Sequence, residues 1–199
     1  MNTDSKNVLY TIGHSNHDQD RFIALLRQHG IEVLADVRSA PWSKYTPHFN
    51  RAVLEAALPP EGIRYLFLGD SLGGRPNGND LYDEAGHVLY NRVALTELFR
   101  GGIDRLKKGI QTLRVAIMCS EEDPTVCHRF LLVTRVMADE GIEVRHIRGD
   151  GSVESETAVR SISGDRRNQG VLFQEMEHDT WKSLRSVLPK AQQPDFSGD

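Results

Sequence analysis

The fold is decided by residues 113–129, which read LRVAIMCSEEDPTVCHR. The stretch Leu113–Met118, apolar except for Arg114, predicts a buried strand, because short apolar runs with β-branched residues are typical of the middle of a parallel sheet. A polar loop with a proline follows at 119–124, and a helix is predicted over about 125–140, with the proline at its start. This strand–loop–helix order is that of an α/β unit.

The same alternation extends over the preceding and following residues. Further strands are predicted at Val8–Ile12, Ile31–Val37, Ile63–Leu68 and Glu143–Ile147. Helices are predicted after Asp18, after Asn50 and over about fifteen residues from Asn91. The long Gly/Asn/Asp-rich stretch 69–90 predicts a functional or mobile loop. The fold class is therefore α/β with a mainly parallel sheet.

The character of the chain changes after residue 148. Residues 149–170 are polar and rich in Gly, Ser and Arg, and beyond them only Thr180–Leu188 has helical spacing. We predict a domain over residues 1–148 and a polar C-terminal appendage with one short helix over 149–199.

Composition excludes several classes of protein. With 199 residues, 39% hydrophobic and 26% charged, the chain has the balance of an ordinary globular protein. A net charge of −4 does not support nucleic-acid binding by bulk charge, although a local basic cleft is compatible with it. No apolar run approaches the roughly 20 residues of a membrane span, and the N-terminus has no secretory pattern. We expect a cytoplasmic protein without a membrane partner, whose two cysteines are reduced.

Polar and charged residues follow the end of each of the first four predicted strands. Because the carboxyl ends of parallel strands meet at one edge of a sheet, these residues predict a single site there. The candidate residues are His14, Ser15, Asp36, Arg38, Gly73, Gly74, Arg75, Cys119, Glu121, Cys127, His128 and Arg129.

Five of these residues are candidates for catalysis. Glu121, His14 and Asp36 can supply acid–base or carboxylate chemistry. Cys119 lies where a buried strand ends, and His128 lies near a helix N-terminus, which favours a thiolate or an anion nearby.

The remaining candidates are assigned to substrate binding. Guanidinium groups suit phosphate because they are planar and donate two parallel hydrogen bonds. Paired glycines allow the backbone to approach a ligand closely. The binding set is Ser15, Arg38, Gly73, Gly74, Arg75, Cys127 and Arg129.

The cofactor is left open. A metal held by Cys119, Cys127 and His128 is one interpretation, but this Cys-x7-Cys-His spacing matches no common structural zinc pattern. No Walker sequence, no GxGxxG after a strand and no HExxH is present, which disfavours nucleoside triphosphatases, nicotinamide enzymes and zincins.

Four motifs together resemble those of the bacterial DUF488 family. They are TIGHS at 11–15, DVRSxP at 36–41, LGGR at 72–75 and CxExxPxxCHR at 119–129. The resemblance covers about residues 8–148. It implies a Rossmann-like α/β domain, with helices on both faces of the sheet and a polar site built from these motifs, but it implies no reaction.

Three functions compete. The preferred one is an enzyme that acts on a phosphate-bearing nucleotide or nucleic-acid substrate, with acid–base chemistry at a glycosidic or phosphoester bond and arginines that bind the anion. The second is a rhodanese- or phosphatase-like thiol enzyme using Cys119, although three carboxylates at 121–123 would raise the pKa of that thiol. The third is a non-enzymatic module that binds a metal or a ligand.

Overall fold

The protein is built on one six-stranded sheet with the strand order β3-β2-β4-β1-β5-β6. A computed structural model describes residues 7–168 and 181–187. The strands are β1 (Val8–Gly13), β2 (Val33–Asp36), β3 (Arg64–Phe67), β4 (Val115–Cys119), β5 (Glu143–Ile147) and β6 (Val153–Ser155). The first five strands pair in parallel, and β6 joins antiparallel to β5. The predicted α/β class with a mainly parallel sheet is confirmed.

Helices cover both faces of this sheet, as expected of a Rossmann-like domain. The helices are α1 (Gln19–Gln28), α2 (Arg51–Ala57), α3 (Gly69–Leu72), α4 (Tyr90–Val93), α5 (Glu97–Ile110), α6 (Arg135–Asp139) and α7 (Glu156–Asn168). The apolar residues of α1 and α2 pack into the core on one face, and those of α5 and α6 pack into the core on the other. None of the helices in the described part of the chain has the length and apolar composition that a membrane crossing requires.

Strand β4 is buried on both faces, which explains its continuous apolar sequence. Val115, Ile117 and Cys119 belong to the core under α5, whereas Ala116 and Met118 belong to the core under α1. This alternation is the period of two that a strand imposes. Cys119 is thereby the last residue of the central strand, paired in register with Gly13 of β1.

The chain leaves the neighbouring strands β1 and β4 in opposite directions. From β1 it crosses by α1 to β2, and from β4 it crosses the other face by α6 to β5. A crevice forms at the carboxyl ends of two strands where the crossovers diverge in this way. The loop after β4 packs tightly over this edge, since a Cβ at Gly13 would overlap the backbone of Glu121.

Two helices differ from the sequence prediction. The single helix predicted from Asn91 is wrong, because α4 ends at Val93 and a new helix, α5, begins after Thr96, whose side chain caps it by accepting the N–H of Phe99. The helix predicted over about 125–140 divides into a 3₁₀ turn at Pro124–Val126, a π-helical turn at Arg129–Thr134 and α6. Such π-turns are frequent at functional sites.

The segment predicted as an appendage contributes to the sheet where the structure describes it. Strand β6 extends the sheet, and Val159 of α7 is buried in the same apolar core as Val144 of β5. Glu156 accepts a hydrogen bond at 2.9 Å from His146 of β5. Sequence analysis missed both β6 and α7, and the domain boundary after residue 148 stays a prediction.

The helix predicted over Thr180–Leu188 is not observed in residues 181–187, which are non-helical. Trp181 donates its indole N–H to the carbonyl of Leu131 at 2.7 Å, and Lys182 pairs through its backbone with Leu89. Lys182 also forms a 2.9 Å ion pair with Asp83. These contacts hold the non-helical segment 181–187 against the rest of the domain.

Candidate functional site

A cavity of about 430 Å³ opens at the carboxyl ends of β2 and β4. Seven of the residues predicted from the sequence line it, and they come from four separate segments of the chain. They are Arg38, Gly74, Arg75, Cys119, Glu121, Cys127 and His128. Most of the predicted site residues therefore lie together at one edge of the sheet.

Two thiols and one imidazole form the floor of this cavity. The Sγ atoms of Cys119 and Cys127 lie 3.6 and 3.8 Å from Nδ1 of His128. The three potential ligand atoms all lie within 4.8 Å of one another, so these residues could hold a metal ion. Both cysteines are free of disulfide bonds, as expected.

The ring of His128 is held in one orientation. Its Nε2 donates to the carbonyl oxygen of Val37 at 2.9 Å, which leaves Nδ1 facing the thiols. Gly74 packs directly against the ring, and a Cβ there would lie 2.9 Å from its Cγ and Nδ1. A residue with a side chain would not fit at position 74, because the backbone there lies too close to the ring of His128.

The pKa values of the two cysteines are shifted in opposite directions when no metal is bound. Burial alone raises the pKa of Cys127, but hydrogen bonding from Cys119 and the positive charges of Arg129 and His128 hold it well below its usual range. The pKa of Cys119 is raised well above its usual range by the hydrogen bond to Cys127, by burial and by the charges of Cys127 and Glu121. Burial lowers the pKa of His128, but its contact with Cys127 reverses this, and the net shift is upward.

Glu121 borders the cavity beside the thiols. Its Oε2 accepts a hydrogen bond from the thiol of Cys119 at 3.2 Å. Loss of solvent around the carboxyl group and the nearby Cys127 raise the pKa of Glu121. A carboxyl group in this position can accept or donate a proton to a bound molecule.

Arg129, predicted to bind substrate, is buried beside the cavity and contacts the loop after β4. Its side chain is 1% exposed and does not line the cavity. Its guanidinium donates to the carbonyl of Glu121 and, at 2.7 Å, to that of Glu122. These contacts bind the guanidinium to the loop and fix the backbone of Glu121, and the expectation that Arg129 binds a substrate anion stays a prediction.

Asp36 and Arg38 form a buried pair at the end of β2. The carboxylate of Asp36 accepts bonds from Nε and Nη2 of Arg38, the latter at 2.6 Å, and from the hydroxyl of Tyr65 at 2.7 Å. Arg38 also donates to the carbonyl of Phe49 at 2.7 Å. Asp36 is fully buried and outside the cavity, so its contacts are those of a residue that positions Arg38.

His14 lies behind the cavity wall. Its Nδ1 donates to the carbonyl of Ser15 at 2.8 Å, its Nε2 lies 3.2 Å from Nη1 of Arg38, and its ring stacks on Phe49. Burial is the main cause that lowers the pKa of His14 to about 4. The imidazole is therefore neutral near pH 7, and it accepts a hydrogen bond from Arg38.

Two other predicted residues lie outside the cavity lining. Ser15 has a left-handed backbone with φ of 48° and donates its hydroxyl to Asn16. Gly73 packs against the carbonyl of Gly69 and the hydroxyl of Ser39, so its small size serves packing.

Trp42, Tyr90 and Arg185 are among the lining residues that sequence analysis missed. Trp42 is 69% exposed, and the sequence signal that could have identified it is a tryptophan within a predicted proline-containing loop. No local signal marks Arg185, because the docking of residues 181–187 on the domain brings it to the site.

Comparisons with known proteins give one match. A family model described as "Domain of unknown function DUF488" matches residues 18–136. Neither a curated protein nor a solved structure matches the chain.

Proposed function

The chain belongs to the DUF488 family, and we propose that it is an enzyme acting on a phosphate-bearing, nucleotide-like substrate. The family description names no reaction, so the proposal depends on the site itself. One observation carries it: three arginines and an exposed tryptophan border a cavity that has a carboxyl group beside its floor. A cavity of about 430 Å³ is within the range that small-molecule ligands occupy.

The charged groups around the cavity favour an anion. Arg38, Arg75 and Arg185 line it, and Glu121 is the carboxylate among the lining residues of the described chain. Arg38 is held rigidly by Asp36, so its position is prepared before a ligand binds. Within residues 7–168 and 181–187, no hydrogen bond or ion pair engages the guanidinium groups of Arg75 and Arg185. Guanidinium groups that face a cavity in this state suit a phosphate group.

The aromatic lining favours a nucleotide over inorganic phosphate. Trp42 exposes most of its surface beside the arginines, and its ring offers a flat face to a nucleobase. Stacking on an aromatic ring together with phosphate binding by arginine is a recurrent way to hold nucleotides and single strands. The protein needs no high overall positive charge for this, because the arginines are gathered at one site.

Glu121 supplies the acid–base chemistry of the proposed reaction. In hydrolysis of a glycosidic or phosphoester bond, water adds to the reacting centre and the bond to the leaving group breaks. Glu121 would take the proton from water and pass it to the leaving group, so the carboxyl group is regenerated. Its fixed backbone, held by Arg129, suits this role.

The thiol alternative using Cys119 has weaker support. The pKa of Cys119 is raised well above its usual range by its hydrogen bond to Cys127, by burial and by neighbouring negative charge, which disfavours a free thiolate nucleophile when no metal is bound. The alternative predicts that Cys119→Ser abolishes turnover, while the proposal places the proton transfer on Glu121.

Binding is the direct test. A panel of nucleoside mono- and diphosphates and short oligonucleotides is titrated into the full chain by calorimetry, with inorganic phosphate for comparison. We expect saturable binding to a nucleotide and a loss of about tenfold or more in Arg75→Ala and in Arg185→Ala. Arg105→Ala, on the exposed side of α5, is the matched control and should bind normally. Equal affinity in the control and in both pocket variants would refute the proposed anion site.

A further inference from the structure

We propose that Cys119, Cys127 and His128 bind a zinc ion, with its fourth coordination position open to the cavity. The inference goes beyond the proposed function, because it depends on the arrangement of three ligand atoms and on no property of the substrate. The ligands come from the end of β4 and from the start of the helical segment after it.

The distances between the ligand atoms suit one tetrahedral ion. Zinc bonds of about 2.3 Å to sulfur and about 2.0 Å to nitrogen, at tetrahedral angles, place S and N about 3.6 Å apart. The observed distances from Nδ1 of His128 are 3.6 Å to Sγ of Cys119 and 3.8 Å to Sγ of Cys127. All three atoms lie within 4.8 Å of one another.

The groups around the ligands are those that a zinc site requires. A histidine that binds metal through one nitrogen usually donates the other N–H to a carbonyl or carboxylate. His128 does so from Nε2 to Val37, which leaves the lone pair of Nδ1 free. The backbone N–H of Arg129 donates to Sγ of Cys127 at 3.4 Å, which stabilises a thiolate there.

The donor set selects the metal. Two sulfurs and one imidazole nitrogen are soft to intermediate ligands, which bind zinc well and bind magnesium or calcium poorly. Three protein ligands with an open position are typical of catalytic zinc sites, whereas structural sites have four. Since all three ligands line the cavity, the remaining position faces it and is available to water or to a substrate oxygen.

The unusual spacing in the sequence follows from this arrangement. Structural zinc sites use closely spaced cysteine pairs on one loop, whereas these cysteines lie on two elements. The loop between them folds back over the sheet edge and is held by Arg129. The fold brings the two cysteines together, so their separation along the sequence need not match the spacing of structural zinc motifs.

Metal content and thiol reactivity test the inference without any substrate. The full chain, purified without a histidine tag and dialysed against zinc, should retain about one zinc ion per chain. Cobalt substitution should give a thiolate-to-cobalt charge-transfer band and the visible bands of a tetrahedral complex. The thiols should react more slowly with a thiol reagent when zinc is bound than after a chelator removes it.

Variants assign the ligands. Cys119→Ser, Cys127→Ser and His128→Ala should each lower zinc affinity by at least tenfold, while His29→Gln, a histidine on the far side of the fold, should bind zinc normally. Glu121→Gln should also retain the ion, because Glu121 is not a ligand. If a ligand variant does not fold, the cobalt spectrum and the thiol reactivity of the wild-type chain still test whether the site binds zinc.

Two results would overturn the inference: a zinc-treated wild-type chain without retained metal, or thiols that react equally fast with and without zinc. Neither result bears on nucleotide binding, so failure here is distinguishable from failure of the proposed function.

Discussion

Nη1 of Arg38 lies 3.2 Å from Nε2 of His14, and this contact joins the ends of β1 and β2 behind the cavity. Because Nδ1 of His14 donates to the carbonyl of Ser15, Nε2 is free to accept the hydrogen bond from the guanidinium. A proton on Nε2 would place two positive groups in contact. The neutral imidazole is therefore part of what positions Arg38.

This contact predicts a loss of stability in mild acid. The pKa of His14 is about 4 in the folded protein, mainly because of burial, against 6.5 ordinarily. The unfolded chain therefore binds the proton first, and stability falls as the pH drops from about 6.5 towards 4. The full loss is about 3 kcal/mol. Urea unfolding at several pH values between 7 and 4.5 measures it.

The variant His14→Gln isolates this contribution. Its stability should be lower at pH 7 but should fall less steeply on acidification than that of the wild type. Parallel curves for the two proteins would show that other groups cause the pH dependence.

Arg129→Lys should reduce stability more than affinity. Lysine keeps the charge but cannot donate to the carbonyls of Glu121 and Glu122 at once, so we expect a loss of about 1–3 kcal/mol in the free energy of unfolding. Chemical denaturation measures this, and nucleotide titration gives the affinity. Unchanged stability with clearly weaker binding would instead support the direct anion-binding role expected from the sequence.

Gly74→Ala should disturb the ring of His128. The new methyl group would lie 2.9 Å from the ring, so the imidazole must shift away from the position it needs to bind zinc. We expect zinc affinity to fall on the order of tenfold, measured by competition with a chelator. Gly101→Ala is the control, because nothing lies within 4 Å of a Cβ on this helical glycine. It should keep the zinc affinity and gain up to about 1 kcal/mol of stability. Equal zinc affinity in the two variants would contradict the close contact.

Glu121→Gln should remove turnover and leave the fold intact. The amide has the shape of the carboxyl group but cannot exchange a proton, so we expect kcat to fall on the order of a hundredfold with little change in KM. Assays use the nucleotide that binds best in calorimetry, with Glu84→Gln, outside the cavity lining, as the control. Full activity in Glu121→Gln together with its loss in Cys119→Ser would favour the thiol enzyme.

The sequence by itself determined the architecture and the location of the site. The run Val115–Met118 is apolar throughout because β4 is covered on both faces, and burial of this kind is visible in local composition. Parallel pairing then brings the strand ends to one edge, which is why the residues after the first four predicted strands are expected to converge there. Local sequence patterns predict these features because the residues buried in a strand or helix are apolar and recur with the period of that element.

Only the tertiary structure decided what each polar residue does there. Arg38 and Arg129 look alike in the sequence, yet one reaches the cavity and the other holds the loop of Glu121. Arg185 reaches the site because Trp181 and Lys182 dock on the domain. Strand β6 was missed for a similar reason, since a strand of three residues gains its stability from pairing with β5. Direction, partner and burial of a side chain depend on groups far away along the chain, and no local pattern encodes them.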